Sequence, residues 1–139
     1  MTASLNFQLT GQRALVTAGA QGIGLAITEA FLQQGAEVYI CDIDRTALDQ
    51  TKSKYPQVHI SHTDVGNESQ VLAMFADIQQ RFGQLDILVN NAGIAGPTAA
   101  IEDTILAEWQ QTLDVNLTGA FLCTRSAVPL IKKAKGGSI

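Results

Sequence analysis

Gly19, Gly22 and Gly24 stand in the run Val16-Thr17-Ala18-Gly19-Ala20-Gln21-Gly22-Ile23-Gly24, with the spacing G-x-x-G-x-G. The run follows apolar Ala14-Leu15-Val16 and opens a segment with helical periodicity at Ile23, Ala26, Ile27, Ala30 and Phe31. A strand, a glycine turn and a helix start in that order form a cradle for a phosphate or pyrophosphate. The glycines admit close backbone approach, and the unpaired N–H groups of the first helical turn point at the anion. No Lys-Ser or Lys-Thr follows the last glycine, so a mononucleotide P-loop is excluded. Glycines at such a corner also serve close packing alone, and the turn therefore needs a second anchor.

Asp42 is that anchor. It follows a β-rich run, Glu37-Val38-Tyr39-Ile40-Cys41, at about the distance past the last glycine where a dinucleotide site needs a carboxylate for the adenosine ribose. Two ribose hydroxyls can donate to one carboxylate in charge-assisted bonds. Ile43, next in sequence, belongs to the same cofactor-binding set. Helix capping is the competing role for Asp42, but Asp44 suits it better. The carboxylate also bears on cofactor choice. A 2′-phosphate carries up to two negative charges, and each unit pair ~4 Å apart costs about 4 kcal/mol at an effective dielectric of 20. Arg45 offsets only part of this from its place past the strand end, so NAD is expected over NADP.

Such residues need a frame that brings strand ends together. Thr10-Gly11-Gln12 reads as a turn before a first strand at residues 13–17. A helix from about Gly22 to Gln34 stops at Gly35, which suits the left-handed position after a helix. After the second strand a weaker helix runs from about Asp44 to Lys54 and ends before Pro56. Residues 58–61 form a third strand, closed by Asp64-Val65. Asn67-Glu68-Ser69 caps a helix whose apolar positions Val71, Met74, Phe75, Ile78 and Phe82 keep one face, and Gly83 ends it. Residues 86–89 are a fourth strand, broken by Asn90-Asn91-Ala92-Gly93.

From Thr104 to Lys133 the spacing predicts one long helix. Leu106, Trp109, Leu113, Leu117, Ala120, Thr124, Val128 and Ile131 trace one stripe, expected to face the sheet. Val115, Leu122 and Leu130 lie off it, on a side expected to meet a second subunit. Residues 136–139 read as a turn and the start of a fifth strand. Strands and helices thus alternate with crossovers long enough for parallel pairing. The fold class is α/β: a Rossmann-like, doubly wound parallel sheet with helices on both faces, incomplete after the start of the fifth strand.

Composition narrows the class further. In a 139-residue chain, charged residues make up 16%, below the ~25% usual for soluble domains, and apolar residues 46%. No apolar run approaches the ~18 residues that cross a bilayer, so no membrane association is expected. The net charge of −4 offers no electrostatic footprint for nucleic acid. Met1 to Asn6 has neither a basic nor an apolar region, so no secretory signal is expected there. Cys41 and Cys123 are isolated from each other, and no His or Cys cluster has metal-ligand spacing. Free thiols, a cytoplasmic chain and no metal site follow as expectations.

Taken together, Thr17-Ala18-(x)3-Gly22-Ile23-Gly24, Asp64-Val65, Asn90-Asn91-Ala92-Gly93 and Asn116 resemble the short-chain dehydrogenase/reductase family. That family carries T-G-x-x-x-G-x-G, an acidic residue with a following apolar one, N-N-A-G and a helix-borne Asn, in this order. The resemblance covers the whole chain, with one departure in the turn: Ala18 replaces a glycine. It implies an NAD(P)-dependent oxidoreductase moving a hydride between nicotinamide and an alcohol or ketone. It further implies that Gly19 to Ile23, with Gln21, cradle the pyrophosphate, and that Asp64 and Val65 hold the adenine. Asn90, Asn91, Ala92 and Gly93 would stabilise the central strand and line the adenosine and ribose. Asn116 would join the catalytic set by bending its helix and holding a water in the proton relay. The family's long helix commonly packs between subunits, which implies a homodimer or homotetramer through residues 104–133.

The family's catalytic Ser and Tyr-x-x-x-Lys do not occur in these 139 residues. Ile43 and His59 stand four residues after Tyr39 and Tyr55, and Ser138 lies at the wrong end of its strand. Residues 1–139 are thus expected to be a dinucleotide-binding domain without activity of its own. A non-catalytic dinucleotide-binding module is the alternative. An S-adenosylmethionine methyltransferase usually has an acid at the end of strand one, where this chain has Val16-Thr17.

Overall fold

β1 (Arg13–Thr17) lies at the centre of a four-stranded sheet because Ala14, Leu15 and Val16 are apolar on both faces and fully buried. The computed structural model describes residues 7–139; the expectation about Met1 to Asn6 lies outside the described residues. The elements alternate as α1 (Gly22–Gln33), β2 (Glu37–Asp42), α2 (Arg45–Lys54), β3 (His59–His62), α3 (Glu68–Phe82) and β4 (Ile87–Val89). A 3-10 turn at Ile101–Asp103 leads into α4 (Leu106–Leu113), a π-helical segment (Asp114–Thr118) and α5 (Gly119–Lys133).

The strand order is β3-β2-β1-β4, all parallel, with Ala14 opposite both Val38 and Ile87. The chain therefore leaves β1 in one direction and returns on its other side at β4. The gap between the carboxyl ends of β1 and β4 is the switch point at which such sheets bind ligands. The expected fifth strand begins with one parallel bridge, Ile87 to Ser138, and Leu88 N–H donates to Ser138 O at 3.0 Å.

Each face of the sheet has its own core. On one, Leu15, Tyr39 and Cys41 meet Val71, Met74, Phe75, Ile78 and Phe82 of α3 and Leu122, Cys123, Ala127 and Leu130 of α5. On the other, Val16, Val38 and Ile40 pack with Ala47 and Leu48 of α2 and with Ile27, Phe31 and Leu32 of α1. Among the described residues, no helix is long and apolar enough to cross a membrane.

Residues 104–133 depart from the expected single helix, and the side assigned to a second subunit is corrected. Leu122 and Leu130 are buried in the core against α3 and the sheet, and Val115 packs on the same cluster. Leu106, Trp109, Leu117 and Phe121, three of them from the expected sheet-facing stripe, are exposed instead. The sheet-facing side of α5 carries the small residues Gly119, Cys123 and Ala127. They let the helix approach closely: a Cβ on Gly119 would lie 2.7 Å from Val65 Cγ2. The π segment also turns the helix phase, so no stripe drawn at 3.6 residues per turn continues through it.

Candidate functional site

The glycine turn is held from below by its own side chains and from beside by β2. Thr28 Oγ1 on α1 reaches the carbonyls of Gly24 (2.9 Å) and Gly19 (3.1 Å). Gly19 N–H donates to Cys41 O at 3.0 Å, and Ala20 N–H to Asp42 Oδ2 at 3.3 Å. Gly24 has no room for a side chain, since a Cβ would stand 2.0 Å from Ala18 O and 2.6 Å from Asn91 Nδ2. Ala18, where the family has glycine, adopts φ +49°.

The start of α1 differs from those of α2 and α3. Asp44 caps α2 by accepting from Ala47 N–H (3.0 Å), and Asn67 caps α3 by accepting from Gln70 N–H (3.1 Å). α1 has no side-chain cap and no acidic residue in its first turn. Its ladder begins where Leu25 N–H donates to Gln21 O at 3.0 Å. The N–H groups of Gly22, Ile23 and Gly24 come before that point and have no partner within the helix. Gln21 is engaged elsewhere: its Nε2 donates to Asp44 Oδ2 at 3.0 Å, tying the turn to α2.

Asp42 closes β2 and is almost fully buried, at 7% exposure. Its Oδ1 accepts from Asp44 N–H (3.1 Å) and its Oδ2 from Ala20 N–H (3.3 Å). Each oxygen keeps a second lone pair. Ile43 beside it is exposed. At the end of β3, Asp64 Oδ1 accepts from Gly66 N–H (2.8 Å), while Asp64 N–H donates to Gln70 Oε1 (2.8 Å). Val65 is buried against Gly119.

The Asn-Asn-Ala-Gly turn is fastened to β1. Thr17 Oγ1 accepts from Asn91 N–H and Ala92 N–H, both at 2.9 Å, and donates to Val89 O at 3.3 Å. Asn91 Nδ2 donates to Thr17 O (3.1 Å) and Ala18 O (3.2 Å), while Asn90 Nδ2 donates to Thr124 Oγ1 (3.0 Å). Beyond the turn, Asn116 Nδ2 donates to Ile94 O (2.8 Å) and its Oδ1 accepts from Ile94 N–H (2.7 Å). Asn116 sits in the π segment, where Gly119 N–H donates to Asp114 O, five residues back.

These elements enclose a cleft of about 550 Å³, part of it open to solvent. Asp42, Ile43, Asp64, Val65, Ala92 and Gly93 line it together, joined by Ala18, Thr63, Ile94, Gln111 and Val115. Gly19, Gln21, Gly22, Ile23 and Gly24 form the adjoining turn. Asn90 and Asn91 do not line this cleft; the Asn91 amide satisfies carbonyls left at the end of β1, and the Asn90 amide ties the turn to the Thr124 hydroxyl on α5. Thr63 and Gln111 were not legible in the sequence, for neither stands in a glycine turn or at a recognisable motif position.

The cysteines are chemically quiet. Burial pushes the Cys41 thiol up to about 12 and the Cys123 thiol up to about 11, so both stay protonated at neutral pH. Burial and Asp77 push the Tyr39 phenol up as well. Among the described residues, no group of three His, Cys, Asp or Glu side chains is placed to hold a metal ion.

Known proteins share this arrangement. The family model for short chain dehydrogenase matches residues 12–139. L-fucose dehydrogenase of Bos taurus is 34% identical over 136 residues, which cover 98% of this chain and 50% of that protein. A 3alpha-hydroxysteroid dehydrogenase of Mediterraneibacter gnavus is 36% identical, covering 94% of this chain and 54% of that one. The crystal structure of a 3-ketoacyl-ACP reductase from Sinorhizobium meliloti superposes with a TM-score of 0.86 at 36% identity, over 90% of this chain and 51% of that one. The chain spans about half the length of the curated relatives it matches. With the glycine turn, the switch-point cleft and the Asn-Asn-Ala-Gly turn in one connected site, the chain belongs to the short-chain dehydrogenase/reductase family.

Proposed function

We propose that this chain binds NAD(H) and supplies the cofactor side of a dehydrogenase or reductase acting on an alcohol or ketone. One observation carries the reading: the buried carboxylate of Asp42 opens into the same cleft as Asp64 and Val65, beside a helix start that no side chain caps. The residues present fit a dinucleotide. The N–H groups of Gly22 to Gly24 suit a pyrophosphate, the free lone pairs of Asp42 suit ribose hydroxyls, and Asp64 beside apolar Val65 and Val115 suits an amino-bearing base. When bound, the nicotinamide supplies or accepts the hydride.

The chain's own residues then bind and orient. Gly19 and Gln21 shape the turn, the latter through Asp44, and Ile23 lies exposed on the first turn of α1. Asp42 holds the ribose with Ile43 alongside, and Asp64 and Val65 receive the base. Ala92 and Gly93 complete the wall, fastened to β1 by Asn91 and to α5 by Asn90. Asn116 holds the loop after β4 and with it a water for proton transfer. The Tyr-x-x-x-Lys of the family is not among residues 1–139, so the activity proposed is that of the full-length protein.

NAD is the proposed cofactor, because a 2′-phosphate near Asp42 would meet like charge. The two protonated thiols suit a cytoplasmic location. The exposed side of α4 and α5, with Leu106, Trp109, Leu117 and Phe121, is proposed as the contact in a homodimer or homotetramer. Fluorescence titration of the full-length protein with NADH and NADPH tests the reading. NADH should bind at least tenfold tighter, and failure of both to bind would remove it.

A further inference from the structure

We propose that Gln111 on α4 is a specificity residue for the base of the bound dinucleotide, reading its amino-bearing edge together with Asp64. The inference rests on the reading above that this cleft takes the adenosine half. Asp64 and Gln111 line the same cleft, together with Val65 and Val115, and both also border the neighbouring groove with Gly66 and Asp114. One oxygen of Asp64 is occupied by Gly66 N–H (2.8 Å), and an ionised carboxylate only accepts. Asp64 therefore suits the hydrogens of an exocyclic amine, yet offers nothing to the ring nitrogens beside that amine, which are acceptors.

Gln111 supplies what Asp64 lacks. Its carboxamide carries two donors and an acceptor on a flexible stem. Other polar side chains of the cleft already have partners: Asp42 accepts from Ala20 and Asp44, and Thr63 pairs with Ser61 at 2.7 Å. Gln110, one residue earlier, spends its Nε2 on Asp114 Oδ1 at 2.9 Å. Among the described residues Gln111 makes no such bond, and it is solvent-exposed at the cleft rim. Its amide is thus available to a ligand at no cost in protein hydrogen bonds. A carboxylate paired with a carboxamide matches a 6-aminopurine, whose edge alternates donor and acceptor, better than a 6-oxopurine.

The test is a binding comparison in the full-length protein with Gln111→Leu and Gln111→Glu, using NADH, ADP-ribose and reduced nicotinamide hypoxanthine dinucleotide. ADP-ribose has the adenine without the nicotinamide; the hypoxanthine compound has the nicotinamide without the 6-amino group. Gln111→Leu should weaken NADH and ADP-ribose by the same factor, about five- to tenfold, and the hypoxanthine compound by less than twofold. Gln111→Glu keeps the side chain's length but removes its donors, so it should weaken NADH and ADP-ribose as Leu does. Equal losses on all three ligands would show a structural role and overturn the proposal. NADH bound with unchanged affinity by both variants would overturn this inference alone. NADH that fails to bind the wild type would overturn the reading of the cleft as well.

Discussion

Asn116 and Ile94 hold each other by two hydrogen bonds, one in each direction, across the gap between the π segment and the loop after β4. The side-chain amide of Asn116 thus stands in for a strand partner that Ile94 lacks. It does so from a helix turn whose backbone ladder has slipped from i−4 to i−5. A π turn inserted in a helix displaces the residues it contains and is frequently found at functional sites. Asn116→Leu should cost about 1–2 kcal/mol of stability through two lost bonds. It should leave NADH affinity within about twofold while lowering kcat of the full-length protein. Urea unfolding and steady-state kinetics measure both, and an undiminished kcat would remove Asn116 from the proton relay.

Ala18 occupies the left-handed region at φ +49°, a conformation that costs an L-residue with a Cβ roughly 1–2 kcal/mol. Glycine avoids that strain but loses more chain entropy on folding, roughly 0.5–1 kcal/mol. Ala18→Gly should therefore stabilise the protein by about 0.5–1 kcal/mol. Gly24→Ala, six positions on, should act in the opposite sense by about 1–3 kcal/mol, because the new methyl meets Ala18 O. Denaturant midpoints for the two variants would show the sign of each.

Cofactor preference turns on Asp42. Replacing it with Ala or Ser should weaken NADH more than NADPH and narrow the difference between them by on the order of 1–3 kcal/mol. The same substitution removes the acceptors of Ala20 N–H and Asp44 N–H. Asp42→Asn keeps one such acceptor and separates the two effects. An unchanged NADH/NADPH ratio in all three variants would take Asp42 out of the ribose site.

His59 makes stability depend on pH. Its Nδ1 faces Arg81 Nη1 at 3.4 Å, and since a guanidinium only donates, Nδ1 accepts and the proton sits on Nε2. Arg81 and Asp77 of α3, Glu37 of β2 and Lys52 of α2 act on it electrostatically, and the rings of Tyr39 and Phe82 pack against it. Burial foremost, then Arg81 and Lys52, lowers the His59 pKa below the ordinary 6.5. The unfolded chain then binds more protons than the folded one between the two values. This contribution to stability is present above about pH 6.5 and is lost as pH falls toward the folded value. His59→Gln should show a smaller fall in Tm between pH 7.5 and 5.5 than the wild type. A parallel fall in both proteins would exclude His59 as the titrating group.

Phe121 and Leu117 are exposed and line one apolar groove on the long helical region with Ala120, Thr124 and Val128. Phe121→Glu should lower the oligomeric state of the full-length protein in light scattering and leave its far-UV circular dichroism unchanged. A strictly monomeric wild type would end the assembly proposal.

Local chemistry by itself determines much of this protein. The glycines between β1 and α1, the capped and Gly83-terminated α3, and Asp42 at the end of β2 each follow from residue type and near neighbours. The departure at Asn116 is of the same kind: a polar residue inside an apolar helical stripe, three positions before a glycine, marks where the ladder changes. Tertiary structure decided what near neighbours cannot. Which side of α5 meets the sheet depends on how closely Gly119, Cys123 and Ala127 allow it to approach Val65. Counting large apolar side chains therefore chose the wrong face. Asn90, Asn91 and Gln21 carry donors whose partners are 34, 74 and 23 residues away, so only the folded strand ends assign them. Gln111 entered the cleft for the same reason: α4 is placed there by packing, and nothing in its own turn of helix announces a ligand.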